Sequence, residues 1–270
     1  MDALTQRRWQ ASRLIQASAL LHGGALAAAV LHPEAWPGCL GAVAADHALL
    51  TLAGMLPRCD WLGPNWTRLS EASRARGEVA ITLDDGPEPE VTPAVLDLLD
   101  RYGVKASFFC IAERALRHAE LTRDIVARGH TVENHTLRHR HHFALLGPGG
   151  LFKELEAASQ TLAAITGARP LFFRAPAGLR NPFLDPVLTR LDLRLASWTR
   201  RGFDTRDGQA CAVAAKLLRG LGAGDILLLH DGNAARMVDG RPVVLEVLPR
   251  LLEAIASAGL HPVTLRSALL

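Results

Sequence analysis

Two adjacent carboxylates, Asp84 and Asp85, close an apolar run in which Val79, Ile81 and Leu83 have the composition of a buried strand, and the breaker Gly86-Pro87 follows at once. Neighbouring residues at a strand end point in different directions, so one carboxylate can hold a cation while the other handles a proton. In isolation a loop-opening Asp-Asp-Gly turn accounts for the pair equally well. His135 and His139 stand four residues apart at the end of another strand-like run. On a helical turn both imidazoles would share one face, the spacing used for joint metal ligation. A strand-end carboxylate would complete a two-histidine, one-aspartate site with open positions for water and substrate. His141 and His142, which follow Arg138 and Arg140, read instead as a solvated basic loop.

Two more apolar runs end the same way. Phe172-Phe173 gives way to Arg174, Ala175, Pro176, Ala177 and Gly178, and the aliphatic stretch after Asp225 ends on His230. A rim arginine can hold a carboxylate ionised and oriented by a forked hydrogen bond, although an ordinary strand-end salt bridge uses the same residue. A histidine after four aliphatics is commonly a satisfied edge residue. Here it is the fourth strand end to carry a charged or titratable group, which makes coincidence the weaker account.

The elements that must position these groups alternate. Strand-like runs fall near 78–83, 104–109, 130–133, 171–174, 193–198, 225–229 and 261–264, with helical patterns between them. Thr92 reads as an N-cap ahead of Pro93, and Gly129, Gly167 and Gly259 as helix stops. Repeated strand-helix units imply a parallel sheet or a barrel, and seven candidate strands suit an incomplete barrel.

Apolar residues make up 49% of the 270-residue chain, and they are unevenly distributed. Residues 13–31 and 40–56 are two Ala/Leu-rich runs close to the ~20 residues that cross a bilayer as a helix. Asp46 and His47 interrupt the second run, and Gln16 and His22 the first. An ionisable group at mid-bilayer needs a partner, and His22 is the candidate for Asp46. Arg7, Arg8 and Arg13 precede the pair of runs and Arg58, Arg68, Arg74 and Arg76 follow it, so the positive-inside bias puts both ends in the cytoplasm. Trp36, Trp61 and Trp66 are candidate interfacial anchors. A hairpin lying on the membrane or packed as ordinary core is the alternative. The expected organisation is therefore a hydrophobic helical hairpin over residues 1–60, a linker over 61–76 and a catalytic α/β domain over 77–270. A net charge of +3 with scattered arginines predicts no nucleic-acid binding, and four cysteines without CxxC spacing read as unpaired thiols.

In chain order these segments resemble the motifs of the polysaccharide deacetylase family, carbohydrate esterase family 4, which includes chitin and peptidoglycan deacetylases. The resemblance runs from residue 77 to about 265. Thr82 to Pro87 is similar to the first motif, with Leu83 where Phe is usual, and Gly129 to His139 to the second. Arg174 to Gly178 is similar to the third, Trp198 with Asp204 to the fourth, and Leu228 to His230 to the fifth. The fold this implies is a distorted, incomplete (β/α)7 barrel, in agreement with the strand count.

The resemblance further implies that Asp85, His135 and His139 hold a divalent metal, zinc in the first instance, with Co2+, Mn2+ or Ni2+ as alternatives. Asp84 is then the general base and His230 the general acid, Arg174 orients Asp84, Asp204 tunes His230, and Trp198, Ala177, Leu228 and Pro176 border the substrate. Two family aromatics are replaced by Ala177 and Thr205, so the sugar subsites are expected to be wider or differently shaped than in a chitin-type groove. The expected activity is removal of an N-acetyl group from an amino sugar of a polysaccharide or lipid-linked glycan. An O-acetyl esterase or a deformylase on a lipid-linked sugar, or a non-catalytic glycan-binding module with a structural metal, are the alternatives. The expected location is the membrane, reached through residues 12–57, with the catalytic domain facing the cytoplasm. An exported orientation would restore cell-envelope polymer as substrate.

Overall fold

The computed structural model describes residues 8–269, so Arg7 of the N-terminal basic cluster lies outside the described residues. Helix α1 (Arg13–Leu31) and helix α2 (Trp36–Met55) form a hairpin joined by the tight turn Pro33–Ala35. Ser12 caps α1 by accepting a hydrogen bond from the N–H of Ile15. Leu20, Leu26, Val30, Leu40 and Leu52 are exposed, whereas the polar Ser18 and Asp46 are buried between the helices. The usual water-soluble pattern is thus inverted. Each helix is long and apolar enough to cross a membrane. The Asp46 carboxylate lies 3.8 Å from His22, the partner expected for it.

The foot of the hairpin is fastened to the rest of the chain. The hydroxyl of Ser12 donates to the carbonyl of Trp61 at 2.6 Å, the N–H of Arg180 to the carbonyl of Gly54 at 3.1 Å, and the hydroxyl of Ser197 to the carbonyl of Pro57 at 2.6 Å. A side chain at position 54 would run into the Arg180 carbonyl, so the glycine is what permits this close approach.

Beyond the short helix α3 (Glu71–Ala75) the strand-helix alternation begins. Its elements are β1 (Glu78–Asp84), α4 (Thr92–Arg101), β2 (Ser107–Cys110), α5 (Ala112–Arg117), α6 (Ala119–Ala127), β3 (Thr131–Asn134), α7 (Pro148–Thr166), β4 (Phe172–Phe173), α8 (Leu184–Arg190) and β5 (Arg194–Leu195). β6 (Arg200–Arg201), α9 (Ala210–Leu218), β7 (Ile226–His230), α10 (Val244–Ser257) and β8 (His261–Val263) complete the chain. The strands pair in parallel in the order β5-β4-β3-β2-β1-β7-β6, and β8 adds to the first half of β1. This is the incomplete, curled β/α barrel expected from the alternation. Between its two open edges runs residues 66–69: the N–H of Trp66 donates to Leu195, that of Ser197 to Trp66, and that of Leu69 to Gly224. Trp66 stacks edge-on against Phe172 at 5.2 Å, so it belongs to the barrel and not to an interfacial belt.

Alternation along β1 sets the two cores. Val79, Ile81 and Leu83 point outward to the layer formed by α4, α9 and α10, while Ala80 packs inward with Phe109, Phe172 and Ile226. Two expectations need correcting. The run 193–198 is not one strand: β5 stops at Leu195, the carbonyls of Ala196 and Ser197 accept hydrogen bonds from Arg174, and β6 pairs separately with β7. Thr92 is not a cap, because Val91 occupies that position and the Thr92 hydroxyl donates to Asp231 at 2.6 Å. Gly129, Gly167 and Gly259 do sit at left-handed helix ends. The four cysteines are free.

Candidate active site

Register brings the strand-end residues to one rim. Asp84 lies opposite His230 across β1 and β7, and Asn134 opposite Phe173 across β3 and β4, so Asp85, His135 and Arg174 each emerge one residue past a paired position at the same end of the barrel. Asp84, Asp85, His135 and His230 border a cavity of about 320 Å³ together with His139, Ala177, Trp198, Leu228 and Asn233, and Arg174 lies buried behind Asp84 without lining it. Pro176 is buried beside it without lining it, and exposed His141 stands at its mouth.

Three side chains converge most closely. Oδ1 of Asp85 lies 3.1 Å from Nε2 of His135 and 3.3 Å from Nε2 of His139. The segment 135–139 is not helical, contrary to the expectation from its spacing. Thr136 (φ 67°) and His139 (φ 51°) take left-handed conformations, and the Thr136 hydroxyl accepts from the N–H of His139, so a tight loop brings the second imidazole back to the first. Asp85 (φ 72°), Ala177 (φ 53°) and Asn233 (φ 58°) on the cavity wall are also left-handed. Such conformations are uncommon outside glycine and gather where a fold fixes functional geometry.

The donor set fits a divalent cation. Nδ1 of His135 lies 2.8 Å from the carbonyl of Arg174, which can only accept, so Nδ1 carries the proton and Nε2 presents its lone pair to the gap. With His135 neutral, the buried Oδ1 of Asp85 has no hydrogen-bond donor. Burial lowers the pKa of His139 to about 4, which keeps that ring neutral and able to ligate. Burial also lowers the pKa of His135, yet the Asp84 and Asp85 carboxylates outweigh it and raise the net value, so the gap draws positive charge. Asn233 steadies the other carboxylate oxygen of Asp85 at 3.0 Å, and Arg114 donates both to the Asp85 carbonyl and to Asn233 at 3.0 Å.

Two ion pairs flank the gap. Arg174, 1% exposed, places Nη1 2.6 Å from Oδ1 of Asp84 and 2.8 Å from the Thr82 hydroxyl. Its other donors reach Ala196 and Ser197, and its guanidinium lies 4.1 Å from the centre of the Phe109 ring. The Arg174–Asp84 contact is therefore a single hydrogen bond and not the fork expected from sequence. On the opposite side Asp204 accepts from Nδ1 of His230 at 2.8 Å and from its backbone N–H at 2.7 Å. Burial pulls the His230 pKa down, but the Asp204 charge and hydrogen bond more than compensate and raise it.

Sequence reasoning missed Asn233, Arg114 and Asp231. Burial, with some repulsion from Asp85 and Asp84, pushes the Asp231 carboxyl up to about 7 against the Thr92 hydrogen bond. Gly86 and Gly232 admit the close packing of Asp231 and Asp85, since a side chain at either position would collide with them. The one available signal was the Asp-Gly-Asn run directly after His230.

Carboxylates, imidazoles and a buried arginine gather at the C-terminal ends of the strands of a parallel β/α barrel, the rim where such barrels carry their active sites, and known proteins narrow the class. The polysaccharide deacetylase family model matches residues 71–196. A peptidoglycan-N-acetylglucosamine deacetylase of Bacillus cereus is 30% identical over 196 residues, spanning 71% of this chain and 87% of that one. A chitooligosaccharide deacetylase of Bradyrhizobium is 31% identical over 193 residues, spanning 68% and 88%. Among solved structures, the family 4 acetyl xylan esterase of Clostridium thermocellum in complex with a cobalt ion superimposes with a TM-score of 0.63 at 30% identity, covering 71% of this chain and 89% of that one. The chain belongs to the polysaccharide deacetylase family.

Proposed function

We propose that the chain is a metal-dependent hydrolase that removes the N-acetyl group of an amino sugar. The observation that carries this reading is the convergence, on one cavity, of the Asp85, His135 and His139 donors with two separately supported proton-transfer groups, Asp84 on Arg174 and His230 on Asp204. A structural metal clip would need only the three ligands.

Asp85, His135 and His139 would hold a divalent cation, with zinc the first choice for two imidazoles and a carboxylate. When bound, the ion supplies Lewis-acid polarisation of the amide carbonyl and lowers the pKa of water. Asp84, kept in place by Arg174, takes a proton from the attacking water as its oxygen bonds to the acyl carbon. His230, kept protonated by Asp204, delivers a proton to the nitrogen as the C–N bond breaks. Acetate and the free amine leave. General acid catalysis of this kind contributes roughly 10²–10⁴-fold. The backbone N–H of Ala177 is a further donor for the carbonyl oxygen as charge grows there. Trp198 and Leu228 enclose the acyl group. Asp84→Asn abolishes turnover while zinc content, read by elemental analysis, stays at wild-type level; unchanged hydrolysis of N-acetylated sugar defeats the mechanism.

The apolar hairpin supports a second part of the proposal. Residues 12–57 anchor the enzyme in a bilayer, and the arginines at both ends, Arg7, Arg8 and Arg13 at its start and Arg58, Arg68, Arg74 and Arg76 after it, orient the catalytic domain to the cytoplasm. A C-terminal fluorescent-protein fusion is then bright and an alkaline phosphatase fusion silent. The reverse pattern overturns the orientation and restores envelope polymer as substrate.

A further inference from the structure

Beside the catalytic cavity, and sharing Trp198 and Arg201 with it, lies a cleft of about 530 Å³ whose wall carries Arg58, Arg200, Arg201, Lys216 and Arg219 and no acidic side chain. These cations differ in what they already hold. Arg200 is committed, with its guanidinium on the buried Asp225 carboxylate and on the carbonyls of Arg219 and Gly220. Lys216 is paired with Asp207 at 2.8 Å. Arg58 reaches only the Thr199 carbonyl, at 3.2 Å. Among the described residues no carboxylate lies within ion-pair distance of Arg58, Arg201 or Arg219, and the buried Nε of Arg201 has no hydrogen-bond partner at all. Arg201 is held between Trp198 and Phe203, at 5.3 Å and 5.0 Å from their ring centres, so its position is fixed although its charge is unmatched. A cleft of unmatched guanidinium groups at the edge of an active site calls for phosphate oxygens, the acceptors that suit their planar donors.

The cleft also touches the hairpin. It opens on the catalytic rim at Trp198 and Arg201, and its wall includes Pro57 and Arg58, immediately beyond the last turn of α2, where the apolar hairpin meets the barrel. At the catalytic end Thr205 and Ala177 add no aromatic wall beyond that of Trp198. Resting on the deacetylase reading above, we propose that the substrate is an amino sugar joined through a phosphoryl group to a lipid tail. The sugar sits at Asp84 and His230, the phosphoryl group at Arg201, Arg219 and Arg58, and the tail runs along the hairpin.

The test uses the full chain in zwitterionic nanodiscs, with farnesyl phosphate, farnesol and inorganic phosphate as binding probes. Two acylated probes, a farnesyl-phosphoryl N-acetylglucosamine and an alkyl N-acetylglucosaminide, are then compared for turnover. Farnesyl phosphate binds at least about tenfold more tightly than farnesol, and Arg201→Gln and Arg219→Gln each remove most of that preference. The same variants collapse the ratio of kcat/KM between the two acylated probes, a ratio that a general folding defect leaves intact because it lowers both values together. Equal binding of phosphate and alcohol, or a ratio unmoved by the variants, overturns the inference. So does phosphatidylglycerol in the nanodisc displacing farnesyl phosphate at equal occupancy, which would assign the cleft to bilayer headgroups. Deacetylation of both probes without phosphate preference sinks this inference alone, whereas phosphate-selective binding without deacetylation of any acetylated amino sugar sinks the deacetylase reading.

Discussion

Among the described residues the same donor set is built twice. His22, Asp46 and His47 in the hairpin, and Asp85, His135 and His139 at the barrel rim, each bring two imidazoles and one carboxylate within 4.8 Å of one another. Their supports differ. In the hairpin, Oδ2 of Asp46 accepts the Ser18 hydroxyl at 2.7 Å, Nδ1 of His22 donates to the Ser18 carbonyl at 2.8 Å, and the two Nε2 atoms lie 3.1 Å apart, so one ring can donate to the other. The hairpin set satisfies itself with protons alone. At the rim, both Nε2 lone pairs converge on Asp85, whose Oδ1 has no donor. Composition therefore does not separate the proposed ligand site from a helix-pairing contact; the remaining hydrogen-bond capacity does.

The largest expected effect breaks the comparison directly. His135→Ala strips the bound metal and lowers kcat/KM by roughly 10³-fold or more, the equivalent of several kcal/mol of lost charge stabilisation. His47→Ala leaves both quantities at wild-type values. Elemental analysis of the two purified variants decides the matter, and equal metal loss from both would make the hairpin a second ligand site and remove the distinction drawn above.

The rim set was legible in sequence because a parallel sheet leaves little freedom. Once Asp84, Asn134, Phe173 and His230 end paired strands, the residues that follow must share one end of the barrel. What escaped was geometry that depends on the far chain. The left-handed Thr136 and His139 defeat a helical reading of their spacing, and the support that Asn233 and Arg114 give Asp85 comes from segments far from it in the chain, of which only the Asp-Gly-Asn run after His230 carried a signal. The two-residue strand β6 is too short to leave a periodic signal, and it is set by its pairing with Leu227 and Leu228. In the hairpin the reverse holds: the pairing of His22 with Asp46 was readable, since a carboxylate amid apolar helix needs an interhelical partner.

A smaller effect sharpens the contrast between the two imidazole environments. His230 owes its raised pKa to the charge of Asp204, against burial, which favours the neutral ring. In the proposed mechanism the protonated ring is the active form, so activity falls as pH rises through the folded-state pKa. Asp204→Asn removes the opposing charge and leaves burial in command; the ring then loses its proton at lower pH, and the alkaline limb of the kcat profile moves toward acid. A limb that stays in place, or moves to higher pH, would show that His230 is not the proton donor.

The smallest effect concerns the hairpin. Asp46→Ala removes the acceptor of the Ser18 hydroxyl and the near neighbour of His22, yet the His22–His47 contact and the carbonyl bond of His22 survive. Interhelical hydrogen bonds in membranes are worth on average about 0.6 kcal/mol, because the separated helices find other partners in the bilayer. Amide exchange in α1 and α2 should therefore accelerate roughly two- to threefold, while metal content and turnover hold at wild-type levels. The docked foot sets that limit: the contacts of Gly54 with Arg180 and of Pro57 with Ser197 lie below Asp46 and do not depend on it. If Asp46→Ala instead abolished turnover, the polar core of the hairpin would be coupled to the rim through that foot, and the two clusters would have to be treated as one device.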